Sequence, residues 1–95
     1  MTQTNVNEML AGREGRYGSF QGHAEISQVI KQVIHSAAKA RGKNLKSDQL
    51  EALDMIAHKI ARIINGDPNY ADNWVDIAGY ATLVANRLEK EDNAA

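Results

Sequence analysis

The sequence predicts an all-α protein, an antiparallel bundle of three long helices preceded by a short N-terminal helix. Three long segments repeat their apolar residues with the 3.6-residue period of an α-helix. No segment keeps the alternation of a half-buried strand beyond a few residues. The 95 residues are 43% hydrophobic and 24% charged, which is typical of one small globular domain over residues 1–95.

The short first helix is predicted from Thr4 to Gly12. Val6, Met9 and Leu10 follow the i, i+3, i+4 spacing that places three apolar side chains on one helical face. Thr4 is suited to cap the start of this helix, and Gly12 is suited to end it. Because two helical turns are marginal in isolation, we expect the rest of the protein to hold this helix in place.

Residues 13–22 are predicted to form a loop, since they are rich in glycine, which disfavours helix. The segment nevertheless contains Tyr17 and Phe20, two of the chain's five aromatic residues. Aromatic rings have a large apolar area, so we expect the loop to be docked on the helices.

The long helices are predicted over residues 23–41, 47–65 and 72 to about 91, and the charged tail 89–95 is predicted to fray. Ser47 and Asp72 are suited to cap helices three and four. The stripe of helix two comprises Ile26, Val29, Ile30, Val33, Ile34, Ala37 and Ala38. The stripe of helix three comprises Leu50, Leu53, Ala57, Ile60, Ala61 and Ile64, widened by Ile56 and Ile63. The stripe of helix four comprises Trp74, Ile77, Ala78, Ala81, Ala85 and Leu88.

Helices three and four are apolar over more than one face, which is more than a chain of this length can cover by itself. Large uncovered apolar surfaces usually mark association between chains. We therefore predict a homo-oligomer, with a twofold dimer as the commonest outcome.

The charges are unevenly distributed. Residues 23–46 contain five bases and one acid, whereas residues 67–95 contain six acids and two bases. Two interpretations remain open: a solvated surface, or a basic edge that meets an acidic partner or another subunit.

The pairing of helices three and four suggests a polar site. A short loop joins them, so they should pack antiparallel, with Lys59 and Arg62 opposite Asp72 and Asp76. Tyr80 follows on the same face of helix four. This set could form a salt-bridge ladder, or a pocket in which Arg62 binds a phosphate or carboxylate. Gly79 supports the pocket, because a glycine inside a helix often marks a close approach.

His23 is predicted to open helix two, where the helix dipole favours an anion. The preceding loop could cover the pocket, with Tyr17 or Phe20 stacking on a ring of the ligand. Alternatively, His23 caps the helix and Phe20 packs against it as a hydrophobic staple.

Composition disfavours several classes of protein. The net charge of −1 argues against a nucleic-acid binder, and the absence of cysteine excludes disulfides and a thiolate zinc site. The three histidines have no metal-ligand spacing, so no metal site is predicted. The apolar runs are too short to span a membrane, and the first ten residues lack the basic and apolar regions of a signal peptide.

Several short motifs resemble a known family. They are YGSF, then HAEISQ on the next helix, KIARIINGDP and DNWVDIAGYA. Over roughly residues 13–88 they resemble a small all-α protein family of tailed phages and prophages. The resemblance implies a phage-derived accessory protein in the cytoplasm of a bacterial host. More distantly, the YG loop, the K-x-x-R pair and D-x-x-x-Y-A resemble nucleotide-modification-associated domains and MazG-type nucleotide pyrophosphohydrolases.

Three functions follow as hypotheses. The first is binding of a nucleotide-like anion by Arg62, Lys59 and His23, to alter nucleotide metabolism or counter host defence. The second is inhibition of a host enzyme or defence complex by protein contact. The third is Mg²⁺-dependent pyrophosphate hydrolysis, and a magnesium cofactor is implied only in this case.

Hydrolysis would require several carboxylates to converge on Mg²⁺. Glu51 and Asp54 form an E-x-x-D pattern, but six residues, ~9 Å along the helix axis, separate Asp54 from the level of Asp76. One hairpin therefore cannot gather all four carboxylates, whereas a dimer could bring Glu51 and Asp54 of one subunit near Asp72 and Asp76 of the other.

Overall fold

The computed structural model describes residues 3–94, and their side chains over residues 5–93. It contains four helices: α1 (Gln3–Tyr17), α2 (Phe20–Ala40), α3 (Ser47–Asn65) and α4 (Ala71–Ala94). No strand occurs among the described residues. The predicted all-α class is confirmed.

The prediction of a loop over residues 13–22 is wrong, because only Gly18 and Ser19 separate α1 from α2. Gly12 and Gly15 lie inside α1, where a Cβ at either position would meet open space. A glycine costs a helix only about 1 kcal/mol, so without a competing contact the helix continues through both. It ends at Gly18, whose φ of 75° favours glycine.

Helix α2 begins three residues earlier than predicted. The Ser19 hydroxyl accepts a hydrogen bond from the Gly22 amide at 3.1 Å and caps the helix. His23 consequently lies within the first turn, where its amide donates to the Ser19 carbonyl. Gly42, with φ of 62°, lies two residues after Ala40, the last residue of α2.

The ends of α3 and α4 also differ from the predicted ones. Lys46, rather than Ser47, is the residue before α3, and its amide donates to the Gln49 side chain at 2.9 Å. Asp72 lies inside the first turn of α4 rather than capping it. The tail predicted to fray is helical to Ala94, and within it Arg87 donates a hydrogen bond to Glu91.

The helices form an open layer in which α3 lies between α2 and α4. Interhelical pairs such as Lys59 with Asp76 and Asp48 with Arg87 show that α3 and α4 run antiparallel. Within the described chain, α2 and α4 do not contact each other. The radius of gyration is 16.4 Å, compared with about 12 Å for a typical folded domain of this length.

The buried apolar residues of this layer are the alanines of α3, Ala52, Ala57 and Ala61. Small side chains allow α2 and α4 to approach α3 closely. Several residues of the predicted apolar stripes are more than half exposed, and they include Val29, Val33, Ile64 and Trp74. The reason is that α2 and α4 lie on opposite sides of α3, so each outer helix packs against one long neighbour only.

None of the described helices has the length and apolar character needed to cross a membrane.

Candidate functional site

The turn between α1 and α2 is clamped onto the end of α3. The Asn65 side-chain amide donates to the carbonyls of Tyr17 and Ser19, both at 2.8 Å. The Asp67 amide donates to the Arg16 carbonyl at 2.7 Å. The YGSF and NGDP motifs therefore contact each other, and this contact places α1 and the start of α2 beside the last turns of α3.

Below this clamp, α1, α2 and α3 enclose a cavity of about 340 Å³, the α1 cavity. Its lining comprises Leu10, Arg13, Glu14, Tyr17, Gly18, Phe20, His23, His58 and Arg62. Four of the eight predicted site residues are among them: Tyr17, Phe20, His23 and Arg62.

Arg62 is held in the cavity wall by an aromatic ring. Its guanidinium carbon lies 4.2 Å from the centre of the Tyr17 ring, at cation–π distance. Tyr17 in turn packs edge-on against Tyr70, with ring centres 6.0 Å apart. Within the described part of the chain, the Arg62 guanidinium makes no hydrogen bond or salt bridge. Its planar set of N–H donors is thus available to a ligand.

Phe20 lies at the rim of the cavity and is 80% exposed. Its ring centre is 6.2 Å from that of His23, and the two rings are tilted by 40°. Such exposure of a phenylalanine leaves one ring face available for stacking.

Two histidines form a pair in the cavity floor. His23 Nε2 and His58 Nδ1 lie 3.2 Å apart, and the two rings meet edge to face. His23 is buried, and its Nδ1 atom has no hydrogen-bond partner among the described residues. Donation from His23 Nε2 to His58 Nδ1 is therefore the favoured arrangement, because it leaves an unpaired acceptor rather than an unpaired N–H in the interior.

Burial keeps both histidines neutral. Desolvation, together with repulsion from His23 and the nearby cations, lowers the pKa of His58 to about 4. Desolvation also lowers the pKa of His23. The charged groups responsible for both shifts include Arg62, Lys31 and Lys59, while Arg13 and Glu14 of α1 also line the cavity.

The lowered pKa of His58 predicts that acid destabilises the fold. Between about pH 6.5 and pH 4 the unfolded chain binds a proton that the folded chain does not, so the free energy of unfolding decreases as the pH falls. We expect a loss of about 1–2 kcal/mol between pH 7 and pH 5, measured by urea unfolding. The His58→Gln variant should lose most of this slope. An unchanged slope in that variant would contradict the assignment.

The other four predicted residues do not join the α1 cavity. Lys59 is buried and its ammonium lies 2.9 Å from the Asp76 carboxylate of α4. Asp72 accepts a hydrogen bond from the Tyr70 hydroxyl at 3.0 Å, and Tyr80 is half-buried on α4. The cavity that Arg62 lines therefore lies at the junction of α1, α2 and α3 rather than between α3 and α4. Lys59 and Arg62 differ by about 60° around α3, enough to direct them to different neighbours.

Gly79 also differs from its expected role. A Cβ at this position would meet nothing within 4 Å, so no close approach explains the glycine.

A second cavity, of about 410 Å³, lies between α2 and α3. Its lining comprises Gln28, Lys31, Gln32, His35 and Asp54. His35 Nε2 and Asp54 Oδ1 are 2.7 Å apart. Asp54, His58 and Arg62 recur every four residues along α3, so the two cavities open on one side of that helix. We call this side, with Lys31 and His35 of α2, the polar face.

His58, Lys31 and Arg13 are the residues that sequence reasoning missed. The i, i+4, i+8 spacing of Asp54, His58 and Arg62 was the available signal, because it marks a polar stripe on an otherwise apolar helix.

The carboxylates considered for magnesium lie on two sides of α3. Asp54 pairs with His35 of α2, whereas Asp76 of α4 pairs with Lys59. Over the residues that the structure describes, no group of three or more His, Asp or Glu side chains is placed to share a metal ion.

The chain is matched over residues 3–88 by the family described as a domain of unknown function, DUF6378, and it belongs to this family. No curated protein matches the chain. No solved structure matches it either.

Proposed function

We propose that this DUF6378 protein binds a nucleotide-like anion in the α1 cavity. The observation that carries the proposal is the Arg62 guanidinium, which is oriented by the Tyr17 ring while its N–H donors remain unpaired in the described chain. A planar guanidinium with free donors matches two oxygens of a phosphate or carboxylate.

The remaining lining supports a ligand that also carries a ring. The exposed Phe20 ring can stack on a base, and base–aromatic stacking contributes about 1–3 kcal/mol. The His23–His58 pair supplies polar atoms and is neutral, so it does not repel an anion. Glu14 is the one carboxylate of the lining, and it faces the cavity from α1.

Lys31 extends the proposed site toward the second cavity. It lines that cavity, and its charge contributes to the lowered pKa of both histidines of the first. A chain of phosphates starting at Arg62 would follow the polar face toward Lys31. The ligand is therefore proposed to carry more than one phosphate.

We further propose a phage-type accessory protein that acts as a homo-oligomer in the cytoplasm of a bacterial host. Sequestering a nucleotide there would alter nucleotide metabolism or counter host defence. The YGSF and NGDP motifs support this assignment through the family resemblance, and their mutual contact builds the proposed site.

The proposal predicts nucleotide binding that depends on Arg62. Isothermal titration with mono-, di- and triphosphates should detect binding by the wild type. Arg62→Gln should weaken it at least tenfold, because one charge-assisted, two-point contact is lost, about 1.5–3 kcal/mol.

Arg41→Gln is the matched control, because Arg41 is exposed at the end of α2 and lines neither cavity. Circular dichroism should show that both variants remain folded. Absence of binding to every nucleotide, or equal affinity in the two variants, would overturn the proposed function.

A further inference from the structure

The side of the layer opposite the polar face is apolar on all three long helices. On α3, Ile60 and Ile64 each lie two residues, about 200°, around the helix from a residue of the α1 cavity, His58 or Arg62. Ile64 is 65% exposed. The polar groups thus line one side of α3, and its isoleucines line the other.

The outer helices repeat this division. On α2, Val29 and Val33 each lie two residues from Lys31, so they are on the side opposite the polar face. On α4, Trp74 lies two residues from Asp76, which pairs with Lys59 beside the polar face. Val29, Val33 and Trp74 are 62%, 63% and 56% exposed. The three stripes form one surface, the apolar face, comprising Val29, Val33, Ile60, Ile64, Trp74 and Leu88.

The accessible surface of the chain is larger than that of an ordinary monomer. It amounts to 6892 Å², whereas a folded monomer of 10.4 kDa exposes about 5,400 Å². The surplus of about 1,500 Å² exceeds the roughly 800 Å² that each partner buries in a standard interface. A partner of similar size therefore has enough surface to bind.

Charge and side-chain size favour a second copy as that partner. The segment that contains α2 carries an excess of four positive charges, and the segment that contains α4 an excess of four negative charges. On the apolar face, α2 presents Val29 and Val33, and α4 presents the alanines Ala78, Ala81 and Ala85 between Trp74 and Leu88. Large side chains opposite small ones pack closely, and opposite charges attract at the rim.

We propose that the apolar face binds a second copy of the chain. The two layers stack about a twofold axis parallel to α3, so that α2 of each copy lies over α4 of the other. In this arrangement α3 lies over its own symmetry mate, and Ile60 and Ile64 form the centre of the interface. The polar face and the α1 cavity stay open to solvent, so this dimer does not depend on the proposed nucleotide site.

The dimer is tested by substituting an isoleucine and a leucine of nearly equal exposure, Ile64 and Leu83. Ile64 lies on the apolar face and is 65% exposed, whereas Leu83 is 67% exposed and lies off it on α4. Light scattering after size exclusion should give about 21 kDa for the wild type, twice the 10.4 kDa of one chain. Ile64→Lys should reduce the mass to that of the monomer, because two lysines would meet at the axis. Leu83→Lys should leave the mass unchanged.

A monomeric wild type at 50–100 µM protein, on the order of ordinary assay concentrations, would overturn the proposal. The same conclusion follows if Ile64→Lys stays dimeric, or if Leu83→Lys dissociates the dimer as fully. Circular dichroism confirms that each variant folds; since both side chains are mostly exposed in one chain, neither substitution should unfold the monomer.

Cross-linking tests the direction of stacking, because the chain contains no cysteine of its own. The double variant Val33→Cys, Ala81→Cys should form a covalent dimer under oxidation, since the proposal places α2 over α4. Val33→Cys alone should not. Efficient cross-linking of the single variant, or none in the double variant, would overturn the proposed arrangement.

Discussion

Replacing Gly66 with alanine is expected to destabilise the fold by about 3 kcal/mol or more. A Cβ on Gly66 would overlap the Arg16 carbonyl oxygen and the Tyr17 backbone. These are backbone atoms at the end of α1, so no side-chain rotation can relieve the overlap. The alternative is to lift α1 from α3, which breaks the hydrogen bond from the Asp67 amide to Arg16.

The measurement is urea unfolding followed by circular dichroism, with Gly79→Ala as the matched control. A Cβ on Gly79 meets nothing within 4 Å, and alanine is the better helix former by about 1 kcal/mol. The control should therefore become more stable while Gly66→Ala becomes less stable. A change of the same sign in both variants would contradict the contact between Gly66 and the end of α1.

The second large effect is expected at Asn65. Its side-chain amide donates to two carbonyls of the α1–α2 turn, those of Tyr17 and Ser19. Asn65→Ala removes both hydrogen bonds, with an expected loss of about 2–3 kcal/mol. Asn65→Asp keeps the shape but places a carboxylate oxygen against the two carbonyl oxygens. We expect it to be less stable than the alanine variant at pH 7 by roughly 1–2 kcal/mol.

The test is which of the two variants, Asn65→Ala or Asn65→Asp, is the less stable. Protonation of the introduced carboxyl would restore one donor, so the gap between the aspartate and alanine variants should narrow as the pH falls toward 4. Asn44→Ala, in the exposed connection between α2 and α3, is the control and should change stability by less than about 0.5 kcal/mol. If the aspartate variant is as stable as the wild type, the amide does not hold the turn.

Loss of the clamp should also affect the proposed ligand site. Asn65 holds the α1–α2 turn, and that turn places Tyr17 and Phe20 at the α1 cavity. A variant that weakens the clamp without unfolding the chain should bind nucleotides less well, even though Asn65 does not line the cavity.

The helices of the long segments could be predicted because their apolar periodicity is a local property. The periodicity itself was correct on all three helices. The periodicity does not show what covers each stripe, since Val29 and Trp74 belong to the predicted stripes and are exposed in one chain. A stripe shows that a face avoids water, but it does not show whether the same chain or another copy covers it.

The extent of the glycine-rich segment could not be predicted, because glycine permits a turn without requiring one. Gly12 and Gly15 lie in helix, while Gly18 has positive φ. The difference depends on Asn65 and Gly66, which lie far away in sequence and contact the end of α1 and the turn at Gly18 but not Gly12 or Gly15.

The candidate site could also be predicted only in part. Tyr17, Phe20, His23 and Arg62 could be selected from residue type and position, and one cavity contains them all. The spacing could not show whether Lys59 and Asp76 join them. Lys59 and Arg62 are separated by only about 60° around α3, yet Lys59 contacts α4 and Arg62 contacts α1.

The helical class, the location of the long helices, and the apolar and polar stripes along them can be predicted from the chain alone. They depend on interactions between residues three or four positions apart, which are local in sequence. The placement of α2 and α4 on opposite sides of α3, which leaves one polar and one apolar face, follows from the tertiary contacts. These join residues distant in sequence, above all His35 with Asp54 and Lys59 with Asp76, and they bury the alanines of α3 between the long helices.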